Sequence, residues 1–141
     1  MEREGRFAPE TLDAARERYE ALGSTAQVVV REVAKAMELD RTTYRERVTS
    51  EVVETAREVL FAESLAVTVG TREEFDAWRA DRPDYEVREI GSENVERVAW
   101  HAAPFAETVV AATFQTEREA AVGTLRRQAF GEVYRDALRG E

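Results

Sequence analysis

Apolar residues recur every three or four positions in the first part of the chain, which is the spacing of one helix face. Four helices are predicted there, over residues 9–22, 24–37, 44–47 and 50–63. Gly23 predicts the end of the first helix, because glycine commonly follows a helix C-terminus. Residues 24–27 have the Ser-x-x-Gln pattern of a capping box, which predicts the start of the second. The apolar stripe of this second helix is predicted to be Ala26, Val29, Val30, Val33 and Met37.

From residue 65 the apolar spacing changes to alternation, which is typical of half-buried strands. Four strands are predicted, over residues 65–69, 85–90, 95–102 and 108–115. Capping-box patterns at residues 71–74 and 116–119 predict a short helix after the first strand and a long last helix to about Arg139. The helical spacing turns five residues of that last helix inward: Val122, Leu125, Ala129, Val133 and Ala137.

This order of elements predicts an α+β fold. We expect an N-terminal helical segment, residues 8–63, packed with a mainly antiparallel four-stranded sheet and a long C-terminal helix in residues 65–139. Short loops between consecutive strands favour antiparallel hairpins. Because the 141 residues are 43% hydrophobic and contain no low-complexity linker, we expect residues 1–141 to form one compact unit.

The charge composition indicates the salt environment of the protein. The chain has 29 acidic and 20 basic side chains, a net charge of −9, and Lys35 is its single lysine. Such a surface suits molar salt, where the Debye length falls to about 3 Å and repulsion between carboxylates is screened. We therefore expect a salt-adapted protein. An ordinary acidic protein from a GC-rich genome is the alternative.

Candidate chemistry is sparse. The sequence has no glycine-rich phosphate loop, no zinc-protease motif and no nucleophile elbow, so we expect no catalytic residue. With no cysteine and one histidine, we expect neither a metal nor a cofactor. His101 titrates nearest neutrality, and strand alternation places it on the sheet face of Arg97. These two residues are a candidate pocket, and a half-exposed strand histidine is the alternative.

Residues 31–48 resemble a helix-turn-helix, in which a small residue, here Ala34, sits at the helix crossing and an apolar one, here Tyr44, anchors the second helix. The second helix would turn four polar side chains toward the major groove: Arg41, Thr42, Thr43 and Arg45. Glu38 departs from the pattern, since glycine is usual where the turn needs a left-handed conformation. The net charge of −9 also disfavours a nucleic-acid partner, and three helices packed by their own stripes are the alternative.

Four segments carry a resemblance to a known family: Phe-Ala-Pro-Glu-Thr at 7–11, Val-Gly-Thr-Arg-Glu-Glu-Phe-Asp at 69–76, Ile-Gly-Ser-Glu-Asn-Val at 90–95 and Trp-His-Ala-Ala-Pro at 100–104. Over nearly its whole length the chain resembles a small haloarchaeal family known only as a domain of unknown function. The resemblance implies salt adaptation and brings no activity, cofactor or site residue.

Neither a signal-peptide pattern nor an apolar run of about 20 residues is present, so we expect a cytoplasmic chain outside membranes. The sequence favours a non-enzymatic interaction or regulatory protein that binds a protein partner or self-associates. Tyr85 and Phe105 are its candidate exposed aromatic residues. A transcriptional regulator using residues 31–48 and a small-molecule binder or enzyme using Arg97 and His101 are the alternatives.

Overall fold

The computed structural model describes residues 1–92 and 94–140, and one mixed sheet with helices on both faces organises this part of the chain. The predicted α+β fold and long C-terminal helix are confirmed. Glu93, which belongs to the predicted loop before the third predicted strand, and Glu141 lie outside the described residues. Among the described helices, none combines the length and apolar character needed to span a bilayer.

The helices of the described chain have these bounds: α1 Leu12–Ala36, α2 Arg41–Arg47, α3 Ser50–Ser64, α4 Arg72–Ala80, α5 Arg118–Ala129 and α6 Arg135–Leu138. The capping box predicted before α4 is confirmed, because Thr71 and Glu74 bond to each other's backbone N–H groups at 3.1 and 2.9 Å. The box predicted at residues 116–119 is wrong, since α5 begins after Glu117 without a side-chain cap.

The predicted break at Gly23 is wrong, because α1 runs through it as one helix of 25 residues. A glycine inside a helix costs about 1 kcal/mol relative to alanine. Packing overrides this cost here: the stripe of Ala15, Ala26, Val30 and Ala34 is buried along α1, and Gly23 lies against Arg57 of α3. Residues 8–63 therefore contain three helices rather than four.

The strands have these bounds: β1 Glu2–Glu4, β2 Val67–Thr71, β3 Glu86–Ile90, β4 Arg97–Ala103 and β5 Thr108–Phe114. They lie in the order β1-β2-β4-β5-β3, and all neighbours are antiparallel except β3 and β5, which are parallel. The predicted hairpin of β4 and β5 is confirmed. The predicted pairing of β3 with β4 is wrong, and the sheet has five strands rather than four.

Burial explains this strand order. β4 and β5 are buried over most of their length and occupy the middle of the sheet, whereas β3 carries Glu86, Arg88 and Glu89 and lies at an edge. β1 has no apolar alternation, so the sequence did not predict it. Arg118 at the start of α5 holds this strand through ion pairs to Glu2 and Glu4 at 2.6 and 2.8 Å.

The two faces of the sheet support two apolar cores. Val98 and Trp100 of β4 pack with Phe75 of α4 on one face. The larger core lies on the other face, where Phe61 of α3 and Leu125 of α5 cover the sheet. Trp100 is buried, with 2% of its surface exposed.

A π turn, Phe130–Tyr134, separates α5 from α6. Its wider turn shifts the buried face of the helix by one position, so that Phe130 and Tyr134 are buried. The regular spacing had predicted Val133 and Ala137, which are only partly buried. This shift brings the Tyr134 hydroxyl to His101.

Candidate functional site

The second half of α1, α2 and the first half of α3 form a helical arm, residues 26–56. α3 runs back along α1, since Tyr19 contacts Phe61 and Gly23 lies beside Arg57. Neither apolar core of the sheet includes a residue of this arm. The arm's own buried residues on α1 are small, namely Ala26, Val30 and Ala34, so the two helices bury little apolar surface between them.

A polar network fixes the base of the arm. The Tyr19 hydroxyl donates to the Glu54 carboxylate, and Arg57 donates through Nε to the Tyr19 carbonyl at 2.7 Å. The Arg57 guanidinium also lies 4.2 Å from the centre of the Tyr19 ring. Burial, reinforced by the bond to Glu54, raises the pKa of Tyr19, which keeps this phenol protonated at any physiological pH. The arm is therefore attached at a defined angle.

An apolar groove of about 270 Å³ runs between the two long helices of the arm. Val33 and Met37 of α1 form one wall and are 54% and 57% exposed. Val52 and Ala56 of α3 form the opposite wall, and Val48 closes one end. Arg47 is the charged residue at the rim. Neighbouring valine and methionine side chains with this degree of exposure form an apolar patch of the kind that marks a binding surface.

The charged side chains around this groove are largely unpaired. Asp40 caps α2 by accepting from the Thr43 N–H at 2.8 Å, which lowers the pKa of Asp40, and Glu54 belongs to the network at the base. The other charged side chains of the arm make no ion pair or side-chain hydrogen bond within the described residues: Arg31, Glu32, Lys35, Glu38, Arg41, Arg45, Glu46, Arg47 and Glu51. Both signs are thus available to a partner.

Residues 31–48 do form two helices joined by a turn, since α1 ends at Ala36 and α2 begins at Arg41. Glu38 adopts the left-handed conformation, with φ of 55°, at the turn position where glycine is usual. Three of the four predicted DNA-contact residues, Arg41, Thr42 and Arg45, are exposed, and Thr43 is half-buried. α2 has no buried residue, so Tyr44 does not anchor it in a core as the sequence predicted.

His101 is buried, with 2% of its surface exposed, so the expectation of a half-exposed histidine is wrong. Its Nδ1 lies 2.7 Å from the Ala66 carbonyl oxygen and its Nε2 lies 2.6 Å from the Tyr134 hydroxyl. Because a carbonyl oxygen only accepts, Nδ1 carries the proton, and Nε2 accepts from Tyr134. Burial lowers the pKa of His101 to about 4, so the ring is neutral and fully bonded at pH 7.

Arg97 and His101 line different cavities. Arg97 lies at a cavity of about 230 Å³ with Glu74 and Arg118, and its guanidinium is 5.3 Å from the centre of the Phe114 ring. His101 borders a cavity of about 160 Å³ beside Trp78 and Trp100. In the part of the chain that the structure describes, no cluster of carboxylates and histidine is placed to hold a metal ion.

Comparison with known proteins assigns the chain to a family. The model of a family of unknown function, DUF5809, matches residues 6–135. The chain belongs to this family. The DUF5809 match extends over the whole arm as well as over His101 and Tyr134. No curated protein matches the chain, and no solved structure matches it either.

Sequence reasoning for this DUF5809 member missed the groove. It assigned Val29, Val33 and Met37 to the inward stripe of a separate second helix, whereas the structure exposes all three. It also took Tyr85 and Phe105 as exposed, although they pack against Trp78 and Tyr134 with ring centres 5.7 and 5.5 Å apart. The signal for the groove is the run of three valines at residues 28–30, because one helix face cannot bury consecutive residues.

Proposed function

We propose that the protein is a non-enzymatic interaction protein and that its arm is the binding surface for a helical segment of a protein partner. The observation that carries this proposal is the exposed apolar groove between α1 and α3. Helix-in-groove recognition places the apolar face of one helix into such a groove. Removing the exposed valine and methionine side chains from water supplies the binding free energy, at about 25 cal/mol per Å² of apolar surface.

The unpaired charges of the arm support a protein partner rather than an apolar small molecule. Interfaces combine an apolar centre with a polar rim, and charged rim residues set orientation more than affinity. On the arm, Val33 and Met37 supply the centre, and Arg47 is the charged residue at the rim. A helix with alternating charges beside an apolar stripe satisfies both parts of this surface.

An introduced thiol tests the proposal, because the chain contains no cysteine of its own. Val33 and Val28 are a matched pair on α1: they are 54% and 50% exposed, and only Val33 lines the groove. We expect Val33→Cys to react with a membrane-permeant maleimide in the dilute purified protein and to be protected in the protein's native cells. Val28→Cys is expected to react in both. Equal labelling of the two thiols in cells would contradict the proposed function.

We place this function in a salt-adapted, haloarchaeal cytoplasm and in a chain that folds as one cooperative unit. The composition supports the first point, with 29 acidic side chains, 19 arginines and one lysine. The second is supported by the larger core, to which both predicted subregions contribute, for example Phe61 and Leu125. A single urea transition whose midpoint rises from dilute buffer to molar KCl is the expected result.

A second candidate function is transcriptional regulation through residues 31–48. Two observations favour it: Glu38 has the left-handed turn conformation, and Arg41 and Arg45 of α2 are exposed. Selection from a pool of random DNA duplexes in molar KCl tests this function. A regulator would enrich one DNA sequence, and Arg41→Ala would weaken binding to that sequence. No comparable observation favours a small-molecule or enzymatic role at Arg97 and His101, because these residues line separate cavities.

A further inference from the structure

We infer that the partner of the arm is the arm of a second copy of this chain, so that two arms pack into an intermolecular four-helix bundle. This inference rests on the proposed function and names its partner. The geometry provides the starting point, since α1 and α3 are antiparallel neighbours joined by α2. An antiparallel helix pair with an apolar groove on one side is half of such a bundle.

The apolar surface of the arm is complementary to itself. Val33 and Met37 project from one wall of the groove, 54% and 57% exposed, directly beside the space of about 270 Å³ that the groove encloses. In a two-fold contact the same patch meets its own copy, so a surface that carries both a projection and a hole can fill both at once. The side chains of Val33 and Met37 from one copy match the apolar lining of the other copy's groove in polarity.

The charge distribution favours a contact between two copies at this place. Each chain carries a net charge of −9, so two copies repel each other over most of their surfaces. The arm, residues 26–56, has six acidic and five basic side chains, whereas the whole chain has 29 and 20. The arm is therefore close to neutral, and two copies that approach arm to arm meet little net repulsion.

The unpaired charges of the arm fit the same arrangement. The arm leaves acidic side chains such as Glu32 and Glu51 and basic ones such as Arg31 and Arg47 without partners in the described chain. Opposite charges on one surface can pair across a two-fold axis, because each residue meets a different residue of the other copy. Such charge pairs select the alignment of the two arms, while the groove residues supply most of the affinity.

Sedimentation equilibrium of the full chain in molar KCl tests the inference. We expect a reversible monomer–dimer equilibrium, and Val33→Glu is expected to weaken it at least about a hundredfold, because each substitution enters a two-fold interface twice and leaves a charge in its apolar centre. Met37→Glu is the second variant, with the same expectation. Val28→Glu is the matched control, since Val28 lies on the same helix and does not line the groove.

Folding is monitored in parallel. Far-UV circular dichroism and the thermal midpoint show whether Val33→Glu and Met37→Glu keep the wild-type fold, and at these exposed positions we expect that they do. A chain that stays monomeric at every concentration would overturn the inference, as would a dimer that both variants leave intact. A monomer whose Val33→Cys thiol is nonetheless protected in cells refutes only the second copy as partner, and the proposed function then stands.

Discussion

Burial of His101 should make this protein sensitive to acid. The ring is 2% exposed, and its two nitrogens are already bonded to the Ala66 carbonyl and the Tyr134 hydroxyl. A second proton on the ring would place a positive charge beside the larger core. Neither of the two hydrogen-bond partners of the ring is a carboxylate that could offset this charge. Burial accordingly lowers the pKa of His101 from 6.5 to about 4.

The direction and size of the effect follow from this shift. As the pH falls, the unfolded chain binds the histidine proton first, so the free energy of unfolding decreases between about pH 6.5 and pH 4. Each pKa unit corresponds to 1.36 kcal/mol, which gives a total loss of about 3 kcal/mol for this shift. Linkage predicts that about 2 kcal/mol of it is already lost at pH 5.

Urea unfolding of the wild type and of His101→Gln, near pH 7 and near pH 5, measures the effect. The glutamine variant is neutral at both pH values, and because the chain has one histidine, the difference between the two pH dependences isolates His101. The carboxylates titrate alike in both proteins and cancel in this difference. If the wild type and the variant lose the same stability on acidification, the burial argument is refuted.

Two further substitutions test how much local sequence and tertiary packing each contribute to the stability of the helices. Gly23→Ala is expected to raise the free energy of unfolding by up to about 1 kcal/mol, because the new Cβ would lie 3.6 Å from Arg57, an ordinary contact; a lower urea midpoint would contradict this. Thr71→Ala removes the cap of α4 and is expected to cost about 1 kcal/mol in the same assay, and an unchanged midpoint would show that the capping box is not stabilising.

The parts of the fold that could be predicted from the sequence are those with local causes. The capping box at Thr71 and Glu74 involves four consecutive residues, and its pattern located the start of α4. The same pattern misled at residues 24–27, which lie inside α1, and at residues 116–119, which form no side-chain cap. Local causes also made the hairpin of β4 and β5 predictable, because its apolar alternation and short connection are both visible in the sequence. At α4 and in this hairpin the tertiary structure adds burial without changing the local preference.

The errors occur where a distant contact overrides a local preference. Gly23 and Ser24 have the signature of a helix boundary. However, α3 packs against α1 both before and after these residues, and α1 continues through them. β3 follows the same rule, since its charged residues make the edge beside β5 more favourable than the hairpin that its loop would allow. The π turn is invisible to a spacing argument, because that argument assumes a regular helix.

The candidate site was hidden from the sequence for a related reason. Apolar spacing in residues 26–37 predicts a buried stripe, and the chain does bury Ala26, Val30 and Ala34. Spacing alone does not show whether another element also packs over the neighbouring stripe of Val29, Val33 and Met37. That depends on how far the sheet and the C-terminal helix extend, which is a property of the folded chain.

The length of α1 and the openness of the groove have one physical origin. The helix is 25 residues long, and only its first part, around Ala15 and Tyr19, lies against the larger core. Beyond Gly23 a single neighbour, α3, is left to cover it, and one helix can cover only one side of another. Polar residues at positions 33 and 37 would support an isolated helix equally well and would keep it more soluble, so the apolar side chains there add stability only once a second surface covers them. The contrast between Val33 and Val28 separates these cases: a glutamate at 33 should disrupt association, a glutamate at 28 should not, and in the monomer the two substitutions should have equal effects on stability.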